Sequence, residues 1–167
     1  TRYLTQIIRE EGCMNACITT ANKSTKEAVN RAKNHKKTPT PIMLKQVGCQ
    51  CIPKPTKTNQ QIKVVVIDFG VKANIVKLLQ QQEYQIHCLP ADTPAQTVLA
   101  LKPQAIVLSN GPGDPRECVD IIRETQILLK SGIPILGICL GYQIIGLSLG
   151  GSIEKMKMGH HGANHPI

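Results

Sequence analysis

At 167 residues, 41% of them hydrophobic and 19% charged, the chain is long enough for one domain, or one and part of another. At this size about two thirds of the unfolded surface is buried, and the composition is not that of a disordered chain. The formal charge of +9 lies almost wholly in residues 1–61, with 11 Lys and Arg against 3 Asp and Glu, whereas residues 62–167 hold 9 against 8. With one Phe, three Tyr and no Trp, that basic surface offers bases almost nothing to stack on, so it reads as an ordinary solvated face with no nucleic-acid partner. No apolar run approaches the roughly 20 residues of a membrane helix, so no membrane partner is expected. The opening TRYLTQIIREEG lacks a basic-then-apolar signal layout, which argues against secretion, and it lacks an initiator Met, so the chain reads as processed or incomplete. The seven cysteines form no paired CxxC and are expected to be reduced thiols in a cytosol-like space. Cys49-x-Cys51 has no second pair nearby, and no metal site is expected there.

In chain order, Leu4, Ile7 and Ile8 recur at helical spacing, so Thr1 to Glu11 reads as an amphipathic helix stopped at Gly12. Ala16 to Thr20 is a short strand candidate. Ser24-x-x-Glu27 is a capping box that opens a helix to about Asn34. His35 to Gln61, with Pro39, Pro41, Pro53 and Pro55 among polar residues, reads as a connection. From Ile62 the pattern changes. Strand-length apolar runs at 62–67, 85–89, 105–109 and 135–139 alternate with helical stretches. The first helix, Lys72 to Gln82, sets Ile75, Leu78 and Leu79 on one face. Thr93-Pro94 reads as N-cap and first helical position of a helix to Leu101. Asp114, Pro115 and Glu117 read as N-cap, first position and third position of a helix to Lys130. Leu140 to Leu149 closes the series. This strand–helix alternation predicts an α/β, three-layer parallel sheet covered on both faces. Ligands in such sheets bind beyond the carboxyl ends of the strands.

Two strand ends stand out. Gly137-Ile138-Cys139-Leu140-Gly141 is Gly-x-Cys-x-Gly at a strand-to-helix turn, the thiol counterpart of a nucleophile elbow. The turn projects Cys139 into the crevice, the helix start favours negative charge there, and the Leu140 amide points to where an oxyanion would form. Ser109-Asn110-Gly111-Pro112-Gly113-Asp114-Pro115 is a sharp loop whose amides can hold a substrate's polar groups. Taken singly, a cysteine after an apolar strand is most often packing, and Gly-Pro-Gly is most often a turn. Their place at neighbouring ends of one sheet is what points to chemistry.

SNGPGDP followed by GICLGYQ resembles the glutamine amidotransferase family with a Cys-His-Glu triad. DFGVKANI (68–75), MKMGHHGANHP (156–166) and TRYLTQIIREEGCMNACI (1–18) resemble, more narrowly, the branch that forms the small chain of glutamine-hydrolysing carbamoyl-phosphate synthase. The resemblance implies a flavodoxin-like amidotransferase domain over 62–167, a linker at 51–61, and in 1–50 the end of a smaller α/β N-terminal domain. It makes Cys139 the catalytic nucleophile and Gly111, Gly113, Leu140 and Gln143 glutamine-binding positions. It implies hydrolysis of glutamine to glutamate and ammonia, with no cofactor on this chain. A large synthetase chain, with ATP and Mg, would use the ammonia and bicarbonate to make carbamoyl phosphate for arginine and pyrimidine biosynthesis. Two positions depart from the pattern. Tyr142 stands for a usual His and is expected to tune the site, and Ala163 stands for a usual Gly. The family's catalytic His and Glu belong to a motif further along than Ile167, so the chain reads as a fragment with no useful glutaminase activity alone. The spacing of His160, His161 and His165 is not a usual zinc pattern, and the resemblance explains them without metal.

Three other functions fit the sequence less well. An amidotransferase for anthranilate or guanine nucleotide synthesis lacks DFGVKANI and GHHGANHP. A non-catalytic binding subunit loses the nucleophile, which is kept here. A flavodoxin-like cofactor module needs a phosphate loop after the first strand, and Asp68-Phe69-Gly70 is a poor anion cradle. Lys outnumbers Arg by 15 to 5, a bias of A/T-rich genomes, and either a plastid stroma or a bacterial cytoplasm fits a soluble chain of this kind.

Overall fold

Residues 2–11 do what their apolar spacing dictates. In the computed structural model, which describes residues 2–20, 24–48 and 62–157, a helix α1 covers Arg2–Glu11. It ends where Gly12, at φ +85, donates its N–H to Ile8 O at 2.9 Å, a left-handed stop that favours glycine. Helix α2, Thr25–Lys33, starts at Ser24, whose hydroxyl accepts the Glu27 N–H at 3.3 Å. The strand expected at Ala16 to Thr20 does not form, and Ile18 is 96% exposed. A strand needs a neighbour to accept its amides, and there is none in this compact unit among the described residues, which run to Lys37 and resume at Glu154.

The second compact unit is Thr38–Ile153. It opens with helix α3, Thr40–Val47, inside the stretch His35 to Gln61 whose prolines predict a connection. Pro39 and Pro41 looked like breakers, but proline suits the first turn, where its missing N–H is not needed. Leu44 on α3 is 1% exposed and joins the main core. We predict that Leu44→Ala costs about 2–5 kcal/mol, read as a lowered denaturation midpoint. A cost near zero would show that α3 is not part of the folded body. The linker expected at 51–61 lies outside the described residues.

Four parallel strands follow: β1 (Lys63–Asp68), β2 (Gln85–Pro90), β3 (Ala105–Leu108) and β4 (Ile135–Gly137), in spatial order β2-β1-β3-β4. Helices α4 (Ala73–Gln81), α5 (Ala95–Ala100), α6 (Val119–Leu129) and α7 (Leu140–Ser148) alternate with them. Side chains alternate across the sheet. Val65, Ile67, Ile106 and Leu108 pack with Val98 of α5, Leu128 of α6, and Leu140 and Ile144 of α7. Val64, Val66 and Val107 pack with Leu79 of α4, Tyr84 and Ile138. The three-layer parallel architecture therefore stands. From β1 the chain steps outward to β2, and from β3 it steps the other way to β4. The reversal leaves a crevice between the carboxyl ends of β1 and β3.

Local expectations shift in three places. On α4 it is Val76 that is buried, while Leu78 is 53% exposed. At α5 the N-cap is Pro94, not Thr93. The Thr93 hydroxyl turns back to donate to Pro90 O at 2.8 Å, and the first helical amide, Ala95 N–H, donates to Glu124 Oε2 at 2.6 Å. A carboxylate from α6 thus does the capping, which local sequence could not reveal. The helix expected from Pro115 to Lys130 is broken. Pro115–Glu117 is a single 3-10 turn capped by Asp114, and α6 begins only at Val119.

Candidate active site

Cysteine 139 sits at the turn between β4 and α7 with φ 52 and ψ −108. These are the angles of the first central residue of a type II′ turn, a position that glycine dominates. A side chain placed there is strained, by an amount of order 1–3 kcal/mol. The surroundings hold the turn in place. Ile138 N–H donates to Leu108 O at 2.9 Å, tying the end of β4 to β3. Gly141 N–H is shared by Ser109 O at 3.1 Å and Ile138 O at 3.0 Å. A Cβ on Gly137 would stand 2.6 Å from the Tyr142 nitrogen, and one on Gly141 would strike the Leu108 carbonyl. The two glycines therefore let helix and strands close on the turn that carries Cys139. Cys139 itself is exposed. With the Gly141 amide committed, Leu140 N–H is the amide next to the thiol that has no intrahelical acceptor by position.

The loop after β3 lies directly alongside. Ser109, fully buried, accepts the Phe69 N–H at 2.9 Å and donates to Asn110 O at 2.9 Å. Asn110 bridges back to β1's end, its Oδ1 accepting Lys72 N–H at 3.1 Å and its Nδ2 donating to Gly70 O at 3.0 Å. The buried Asp68 carboxylate accepts the Gly70 and Val71 amides at 2.8 and 2.7 Å. Those amides are used internally, which is why this turn is not an anion cradle. Gly111 is brought against the elbow: a Cβ there would stand 2.9 Å from Leu140 Cδ2 and would strike Phe69 O. Gln143 is half-buried in the first turn of α7, its N–H donating to Cys139 O at 3.1 Å. Tyr142 is 71% exposed.

Gly113, at φ +102, is placed elsewhere, with its α-carbon packed against Thr40 at the start of α3. Thr40 is fully buried. Its hydroxyl donates to Glu117 Oε2 at 2.7 Å and accepts the Asp114 N–H at 2.8 Å, and its own N–H donates to the same Oε2 at 2.7 Å. Arg116 then grips Asp114 through both carboxylate oxygens, Nε to Oδ1 at 3.0 Å and Nη2 to Oδ2 at 2.7 Å. Sequence reading missed Thr40 and took Glu117 for a local cap. The available signal was Pro39-Thr40-Pro41, which suits a helix start as well as a loop.

Cys118, by contrast, is 1% exposed, and burial, with Glu117 and Asp114 adding, pushes its thiol up to about 11. Among the described residues no cluster of three or more His, Cys, Asp or Glu could hold a metal. His160, His161 and His165, with the whole of GHHGANHP, lie outside the described residues. No helix among the described residues is long and apolar enough to cross a membrane.

Residues 65–167 match the family model for glutamine amidotransferase class-I. Three bacterial proteins, each called carbamoyl phosphate synthase small chain, align over all of this chain. The one from Thioalkalivibrio sulfidiphilus is 39% identical with 48% of its own length covered, that from Pasteurella multocida 41% with 46%, and that from Buchnera aphidicola 42% with 47%. The chain thus spans about half the length of these relatives. A solved chain from Thermoplasma acidophilum, described as a component of GMP synthase, is 26% identical with a TM-score of 0.49, covering 57% of this chain and 48% of its own. A thiol on a glycine-flanked strand-to-helix turn, a Gly-Pro-Gly loop packed beside it, and a family match over residues 65–167 together place this chain in the class-I glutamine amidotransferase family.

Proposed function

We propose that this chain is the nucleophile-bearing part of the glutaminase subunit of a carbamoyl-phosphate synthase. The observation that carries the reading is the strained, exposed Cys139 at the β4–α7 turn, with residues 109–111 of the loop after β3 held against it. In this reading the Cys139 thiolate attacks the side-chain amide carbon of glutamine. The carbonyl oxygen becomes an oxyanion that the Leu140 N–H stabilises. The amide nitrogen takes a proton and leaves as ammonia, and water then cleaves the thioester to release glutamate. Gly111, Gly113 and Gln143 contribute to holding glutamine. The base and the carboxylate that orients it belong, in the family resemblance, to a motif beyond Ile167. The ammonia passes to a large partner chain, which binds ATP and Mg and makes carbamoyl phosphate from bicarbonate. The bacterial relatives support a bacterial cytoplasm over a plastid stroma as the setting.

The test is covalent labelling with a diazoketone analogue of glutamine at pH 8, with labelled peptides identified by mass. Label is expected on Cys139, suppressed by free glutamine. Cys118 stays unlabelled: with its thiol at about 11, only roughly one part in a thousand is thiolate at that pH. Label spread over exposed thiols such as Cys13, with no effect of glutamine, would overturn the proposal.

A further inference from the structure

We infer that Thr40 is a positioning residue for glutamine binding, acting through the loop at 111–114 from the start of α3. This rests on the reading of Cys139 and that loop as a glutamine site. Thr40 touches no reacting atom in that scheme. What it does is fix the loop's far end.

The geometry is specific. Gly113 has the left-handed φ that lets the loop turn, and its α-carbon is seated on the Thr40 side chain. The next amide, Asp114 N–H, ends on the Thr40 hydroxyl at 2.8 Å. That hydroxyl in turn donates to Glu117 in the 3-10 turn, and Glu117 also takes the Thr40 N–H. One side chain thereby closes a ring through α3, the loop and the turn that leads to α6. The near end of the loop is fixed independently, by Ser109 and Asn110 on the end of β1. The remaining polar tie between α3 and its surroundings in the described residues is Lys45 to Asp92, both side chains more than half exposed, and such pairs hold little. A cavity of about 340 Å³ lies on the same flank, lined by Pro41, Leu44, Ala91 and Cys118 among others. The loop's backbone must be ordered in advance for its groups to meet glutamine without a further loss of chain entropy. Thr40 supplies that order at the 113–114 end.

The experiment compares inactivation of the 167-residue chain by the glutamine-like diazoketone with alkylation by iodoacetamide, separating the half-saturating concentration from the limiting rate. In Thr40→Val, which keeps the shape and removes the hydroxyl, the half-saturating concentration rises about tenfold. The limiting rate and the iodoacetamide rate at Cys139 stay within about twofold of the parent chain. Thr40→Ser restores the parent values. A general loss of structure would instead move the iodoacetamide rate and the melting temperature together. If Thr40→Val does not fold, Glu117→Gln carries the test, because it keeps the shape and weakens the same ring; a rise of about threefold is expected. Unchanged saturation in a folded variant, with a parent chain that discriminates for glutamine, overturns the role of Thr40. A parent chain that does not discriminate at all overturns the glutamine site itself, and this inference with it.

Discussion

Replacing Cys139 by glycine is expected to abolish labelling by the glutamine analogue and, at the same time, to make the chain more stable. The first half follows from the chemistry: without the sulfur no thioester can form. The second half follows from the backbone. At φ 52 and ψ −108 a β-carbon is strained, and glycine is not. The cysteine is exposed, so little packing is lost with it. Glycine gives back part of the gain because it has more freedom in the unfolded chain. A net gain of about 1 kcal/mol remains, or roughly 2–4 °C in melting temperature for a chain of this length. Cys139→Ser keeps the strain, so it should lose labelling with no rise in melting temperature. Equal melting temperatures for the glycine and serine variants would show that the turn is not strained. Stability lost at Cys139 is recovered through the hydrogen bonds that Ile138 and Gly141 send to the end of β3.

Gly141→Ala is the second large effect, and it runs the other way. The added methyl would land on the Leu108 carbonyl, so α7 must retreat from β3. That retreat breaks the 3.1 Å hydrogen bond from Gly141 N–H to Ser109 O and disturbs the packing of Leu140 and Ile144, which are both buried. We expect a loss of about 3 kcal/mol or more, as for other overpacked core sites, together with loss of labelling at Cys139. Gly146→Ala, on the same helix, is the control. A Cβ there meets nothing within 4 Å, and alanine should stabilise the helix by up to about 1 kcal/mol. Chemical denaturation of the two variants side by side decides the matter. If they lose stability alike, close approach is not what fixes Gly141.

Several elements could be read from local pattern because their cause is local. Buried parallel strands are continuous apolar runs, and Val64 through Ile67 is one whichever neighbours it finds. Ser24 caps α2 through an amide three residues away, within the span of the motif that announced it. The elbow was legible too, since Gly-x-Cys-x-Gly after an apolar strand leaves the chain few ways to turn. The misreadings have the opposite origin. Ala16 to Thr20 has strand-like residues but no partner strand among the described residues. α3 was hidden because proline marks both breaks and helix starts. Thr93 lost its capping role to Glu124, which holds the Ala95 amide from 29 positions further along the chain.

By itself the sequence determined the fold class, the order of strands and helices over 62–157, and the glycine-flanked turn that carries Cys139, because each depends on periodicity or on a turn of a few residues. It also carried the family, through SNGPGDP and GICLGYQ, which lie within the stretch that matches the family model. The tertiary structure decided what surrounds the site. It brought Ser109 and Asn110 onto the end of β1, set Gly111 beneath Leu140, and ran α3 up to the loop so that Thr40 and Glu117, 77 positions apart, share two hydrogen bonds. Contacts of that kind depend on which strands lie side by side, and the burial of a whole sheet sets that order, which no local run of residues encodes.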